Sequence, residues 1–180
     1  MKHIIHKAYW NWEREEKWLN DLSSRGLALT DYSWCRYVLE ETPPGEYIYR
    51  IELLDHHAAH PLSRKYIEFV EDTGVEFVAS YMRWVYFRKK AADGPFEIHS
   101  DMPSQIAHNK RVRALWLAFT ILELSVSAFN FAVGLTLPIS VINIICGALL
   151  LPLGFAFAIW TFQITLKIKR LKKEMLIHEG

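Results

Sequence analysis

Residues 114–136 and 139–166 are two apolar stretches that carry one formal charge between them, Glu123. An α-helix rises about 1.5 Å per residue, so either stretch can cross the roughly 30 Å of a bilayer's hydrocarbon. Only Leu137 and Pro138 join them, which is too little for a domain. The pattern predicts a two-helix transmembrane hairpin, with the part that can fold in water lying ahead of it.

The predicted organisation has four parts: an α+β sandwich over residues 1–92, a linker and juxtamembrane helix over 93–113, the hairpin over 114–166, and a basic tail over 167–180. The overall mean hydropathy of +0.03 averages these unlike parts. Residues 1–113 hold 16 basic and 17 acidic side chains, whereas residues 167–180 hold five and two. A polar region this close to neutral argues against nucleic-acid binding, which needs concentrated positive charge.

Lys and Arg near the ends of spans are retained on the cytoplasmic side. Lys110, Arg111 and Arg113 precede the first stretch, five basic residues from Lys167 to Lys173 follow the second, and the joining turn has none. Both termini are therefore expected in the cytoplasm of a multi-pass protein. The basic tail also has the chemistry to contact membrane lipid. The segment before Tyr9 has no apolar run of secretory length, so no cleavable leader is expected. Cys35 and Cys146 fall in different solvents and are not expected to pair.

In the polar region, residues 3–9 read as a strand. Asn11 can cap a helix over 12–25 that stops at Gly26, burying Trp12, Trp18, Leu19 and Leu22. Residues 27–40 read as one extended segment. Thr42-Pro43-Pro44-Gly45 is a turn, and 46–54 alternates as a strand, so these two are expected to form a hairpin. Residues 62–73 read as a helix with Leu62, Tyr66, Phe69 and Val70 on its buried face. Residues 75–90 return to β composition, as one bent strand or two broken near Tyr81-Met82. A helix starting near Asp101 is expected to run into the first span.

The order β-α-β-β-α-β implies a ferredoxin-like sandwich, one antiparallel sheet with both helices on one face. Two helices cannot cover both faces of that sheet. Tyr32, Trp34, Tyr37, Tyr47, Tyr49, Trp84 and Tyr86 are thus expected to supply an exposed aromatic face for a partner protein, a membrane or an apolar ligand.

Several strings carry a resemblance. Glu15-Glu16-Lys17-Trp18-Leu19-Asn20, Gly45-Glu46-Tyr47-Ile48-Tyr49-Arg50-Ile51, Tyr66-Ile67-Glu68-Phe69, Arg83-Trp84-Val85-Tyr86-Phe87-Arg88-Lys89 and Asp93-Gly94-Pro95-Phe96 occur in this order. Over residues 3–112 the chain resembles a bacterial membrane-protein family, the domain of unknown function twenty-eight-twelve. The resemblance implies a bacterial cytoplasmic membrane, a regulated stress or envelope system, and a neighbouring PadR-type regulator. It assigns no catalytic residues.

Asp55-His56-His57-Ala58-Ala59-His60 places three histidines in a loop, weak metal candidates because nothing in the pattern converges them. No metal and no other cofactor is expected. Glu123, Asn130 and Asn143 are candidate polar positions within the spans, readable as a seam between helices or a contact with a partner. Gly147, and Gly154 with Ala158, permit close helix approach, within the hairpin or between copies. The charged string 13–17 reads as a solvated helix face. There is no Gly-rich phosphate loop, nucleophile elbow or Cys-x-x-Cys, so no enzyme is expected. The expected function is a membrane-anchored cytoplasmic interaction or sensory module. The alternative is an accessory subunit of a transporter or envelope enzyme that binds through its hairpin.

Overall fold

The structure, a computed structural model, describes residues 2–99, 101–136 and 141–178. The chain divides into two units, Met1–Ile98 and His99–Gly180. The first is mixed α and β. Its elements are β1 (Lys2–His6), α1 (Trp12–Ser23), β2 (Leu27–Ser33), β3 (Arg36–Glu41), β4 (Tyr47–Leu53), α2 (Pro61–Glu71), β5 (Glu76–Tyr81) and β6 (Trp84–Lys90).

The strands form two three-stranded antiparallel sheets, β1-β3-β2 and β4-β6-β5. The α+β class expected from the sequence is present, but the single ferredoxin-like sheet is not what the strands build. Residues 27–40 fold on themselves as the β2–β3 hairpin, and β4 pairs with β6 rather than with its predecessor. The Pro-Pro-Gly turn therefore links two sheets instead of closing a hairpin.

The two halves repeat one another. Each is β-α-β-β, and in each the first and second strands flank the third. One constant shift in residue number maps Gly26 (φ +80°) onto Gly74 (φ +83°) and the helix C-cap Ser24 onto Asp72. The same shift carries buried Glu15, Leu19 and Leu22 of α1 onto buried Ser63, Ile67 and Val70 of α2. It also aligns two bulges, Thr30 left unpaired between Leu29 and Asp31, and Val78 between Phe77 and Ala79. Gly26 is required twice over: its φ is left-handed, and a Cβ there would lie 2.8 Å from the Thr42 carbonyl oxygen.

Local chemistry sets these elements. The Asn11 side chain accepts from Glu13 N–H at 2.8 Å and Arg14 N–H at 3.3 Å, capping α1 as its sequence predicts. α2 departs from expectation. Its buried stripe is Ser63, Ile67 and Val70, with Tyr66 partly buried, while Leu62 and Phe69 point outward.

Two cores result. Leu19 and Leu22 of α1 pack with Leu29, Tyr37, Leu39, Tyr49, Ile51 and Tyr86. Ile67 and Val70 of α2 pack with Leu54, Val75, Val85, Phe87 and Phe96.

The second unit is two long helices, α3 (Met102–Thr136) and α4 (Val141–His178). Both are long and apolar enough to cross a membrane. The predicted turn at Leu137-Pro138 lies outside the described residues. The helices run antiparallel, as Thr120 meets Thr161 while Ser127 meets Gly147 further along.

Candidate functional site

The seven aromatic residues expected on one exposed face do not share one. Tyr37, Tyr49 and Tyr86 are buried in the core, Tyr32, Tyr47 and Trp84 are half-buried, and Trp34 is 71% exposed. The reason is the split sheet. The residues come from two sheets that meet in one core, so most of the rings fill the junction.

At that junction lies a carboxyl clasp. The Tyr37 hydroxyl of β3 and the Tyr86 hydroxyl of β6 each donate to Glu15 Oε1 at 2.7 Å. The Tyr32 ring sits 4.7 Å, centroid to centroid, from both of these rings. Burial pushes the Glu15 carboxyl up from its ordinary range, and the two tyrosine bonds pull it partly back. Burial and the neighbouring carboxyl push Tyr37 and Tyr86 up, so both remain protonated donors. The arrangement ties one helix to both sheets and leaves no phenolate to act as a nucleophile.

A second set of polar residues lies one step around α1. Asn20 accepts from Tyr49 N–H at 2.8 Å and donates to Tyr49 C=O at 3.1 Å. Ser23 does the same for Tyr47, at 3.2 and 2.6 Å. Glu16 accepts from Ile51 N–H at 2.9 Å. Residues spaced by one helical turn thus satisfy alternate backbone groups of β4, whose free edge would otherwise be unpaired. Glu16 also lies 3.5 Å from Arg50, which reaches Glu97 at 2.6 Å. Burial raises the Glu16 carboxyl to about 7, against the lowering effects of the Ile51 N–H and the Arg50 guanidinium.

The string 13–17 is therefore not a uniformly solvated face. Glu15 and Glu16 turn inward: Glu15 shares the buried stripe of Leu19 and Leu22, and Glu16 shares the adjacent stripe of Asn20 and Ser23 that faces β4.

The sheets also join at β2. Leu29 N–H donates to the Tyr49 hydroxyl at 2.8 Å, and Arg88 donates to Leu29 C=O at 3.0 Å. Arg88 holds Glu76 with two bonds, at 2.8 and 2.7 Å, and lies over the Tyr47 ring.

The hairpin turns form an exposed edge. Trp34 and Cys35 turn the β2–β3 hairpin with φ of 26° and 59°, and Met82 turns β5–β6 with φ of 55°. Trp34 and Met82 occupy equivalent places in the two repeats, and Met82 is 60% exposed. The Trp34 ring lies 5.7 Å from Tyr81, so the two turns sit side by side.

The loop histidines have separate tasks. His60 Nδ1 accepts from Leu62 N–H at 3.3 Å and caps α2, while His57 Nδ1 bonds the Met82 carbonyl at 3.0 Å. His56 stacks on His60 with centroids 4.1 Å apart. The three do not form a three-ligand group among the described residues.

In the second unit, Glu123, Asn130 and Asn143 are each half-buried. Glu123 borders the seam beside Gly154, where an added Cβ would lie 3.5 Å from Glu123 Cβ and 2.6 Å from Leu124. Asn130 donates to its own helix at Val126 C=O. Ser127 donates to Gly147 C=O at 2.8 Å across the seam. Gly147 and Gly154 both face α3, so packing within the hairpin accounts for them.

A family model described as a protein of unknown function (DUF2812) matches residues 11–121, from the α1 cap into α3. The chain belongs to this family. The DUF2812 match takes in Glu15 and Glu16, both hairpin turns and the β4 edge. No curated protein and no solved structure matches the chain.

Proposed function

We propose that this DUF2812 protein is a membrane-anchored interaction or sensory module of the bacterial cytoplasmic membrane. Its α+β unit and both termini lie in the cytoplasm. It binds a protein partner without bond-breaking chemistry and reports to a regulated stress or envelope system, with a PadR-type regulator as a candidate component.

One observation carries the reading. α3 and α4 turn Thr120, Ser127, Gly147, Gly154 and Thr161 toward each other and Ile121, Leu122, Phe129, Leu149, Ile159 and Phe162 outward. Such a surface suits lipid. Trp116 and Trp160 lie near the end flanked by Lys110, Arg111, Arg113 and Lys167, and their buried indole N–H groups have no acceptor among the described residues. Trp beside Lys and Arg is the pattern of a cytoplasmic membrane boundary. The non-catalytic part is supported by the Glu15 clasp, in which two protonated tyrosines occupy the buried carboxyl.

The alternative, an accessory subunit of a transporter or envelope enzyme, is favoured by Glu123, a carboxyl at the hairpin seam that a partner helix could engage. Affinity capture of the full chain from detergent-solubilised membranes, with mass spectrometry, separates the two. Capture of a soluble regulator that is lost when residues 1–98 are deleted supports the module. Capture of a membrane protein that survives the deletion supports the subunit.

A further inference from the structure

We infer that the paired turns of β2–β3 and β5–β6 are a docking edge for an anionic lipid surface. The inference rests on the membrane-anchored reading above and adds a second contact with the bilayer.

The repeat makes the observation specific. Trp34 and Met82 are equivalent positions in two diverged halves, and both carry a large apolar side chain into solvent. Both stand at left-handed φ, where glycine or asparagine turns a hairpin at lower cost. Neither the turn nor the core needs Trp or Met there. Tyr81, against the Trp34 ring, extends the apolar edge from one turn to the other.

Charge selects the occupant. The four-residue turns Ser33–Arg36 and Tyr81–Trp84 contain two arginines and no acid. Lys7 lies beside the first turn, its N–H on Cys35 C=O at 2.9 Å and its ammonium over the Tyr9 and Trp18 rings. His57 is held beside the second by Met82 C=O. Two acids lie nearby, Asp31, two residues ahead of Ser33, and Asp55, next to Leu54, whose N–H donates to Arg83 C=O; Arg36, Arg83 and Lys7 outnumber them. An apolar tip of Trp, Met and Tyr ringed by Arg and Lys matches the headgroup region of an anionic leaflet. The unit ends at Ile98 and α3 starts at Met102, so the tether holds this edge at high effective concentration near the membrane.

The test uses the full chain carrying Cys35→Ser and Cys146→Ala. A polarity-sensitive fluorophore is placed at Met82→Cys or, for comparison, at Arg14→Cys on the exposed side of α1. The protein is reconstituted into nanodiscs of phosphatidylcholine alone or mixed with phosphatidylglycerol, each containing a nitroxide-labelled lipid. The expected result is several-fold stronger quenching at 82 than at 14, only in the anionic discs, and abolished by Trp34→Ala with Arg36→Gln. Equal quenching at the two sites, or quenching indifferent to phosphatidylglycerol, overturns the inference. If the chain fails to migrate with the discs, the membrane-anchored reading falls and this inference with it. If it migrates with them and position 82 stays unquenched, only this inference falls.

Discussion

Tyr37 and Tyr86 come from different sheets and donate to the same oxygen of Glu15, each at 2.7 Å. The two halves of the repeat are thereby joined through a helix that belongs to the first. Truncating one hydroxyl leaves the carboxyl with one donor. Tyr86→Phe should lower the unfolding free energy by about 1–3 kcal/mol, the range for a buried hydrogen bond to an acidic group. Glu15→Ala strands both hydroxyls and should cost more than either tyrosine change, whereas Glu15→Gln, which keeps an acceptor oxygen, should cost least. Denaturant melts of residues 1–98 rank the three.

That fragment should fold without the helices. It is a distinct unit and holds both hydrophobic cores. Circular dichroism should show mixed α and β content with one cooperative melt. A disordered or purely helical fragment contradicts the fold.

Glu16 makes stability depend on pH. Its folded carboxyl is raised to about 7, above its ordinary 4.5, so the folded state binds the proton more tightly. The stabilising contribution is complete below the unfolded value and is lost as pH rises through about 7. Between these values the fragment should lose on the order of 2–3 kcal/mol from this group. Glu16→Gln retains an acceptor for Ile51 N–H, should flatten that slope, and should raise stability at pH 8. Melts at several pH values on both proteins decide it, and an unchanged slope removes the assignment.

How legible this was in the sequence depended on whether a residue's environment is set by its neighbours in the chain. The spans needed only length and apolarity, and the Asn11 cap only the residues that follow it. The β2–β3 hairpin was hidden because Trp34 and Cys35 turn it, without the Gly or Asn that marks a left-handed position. Glu15 and Glu16 read as solvated because carboxylates near a helix N-terminus ordinarily face water and the helix dipole. Their inward role comes from β3, β4 and β6, strands distant in sequence. Hydrophobicity alone predicts Leu62 and Phe69 in the core, yet the repeat aligns them with Arg14 and Asp21, which are exposed in α1.

The turns should tolerate change that the core does not. Trp34→Ala should alter the stability of residues 1–98 by no more than about 0.5 kcal/mol, as for other exposed sites. Trp84, partly packed against the first core, should cost clearly more when truncated. Met82→Asn should leave stability equal or raise it by up to about 1 kcal/mol, since asparagine accepts left-handed φ.

Hairpin packing can be broken at one atom. A Cβ on Gly154 would come within 2.6 Å of Leu124. Gly154→Leu should separate α3 from α4 near their middle and abolish a disulfide engineered from Thr120→Cys and Thr161→Cys, whose hydroxyls lie 3.4 Å apart. Persistence of that crosslink contradicts the seam.

Topology tests the central claim most directly. Alkaline phosphatase and green fluorescent protein fusions placed after Gly180 and after Pro138 report which side of the membrane each point occupies. The account predicts fluorescence without phosphatase activity at Gly180, and phosphatase activity without fluorescence after Pro138. An external Gly180, or a chain recovered in the soluble fraction, would contradict a cytoplasmic module anchored by this hairpin.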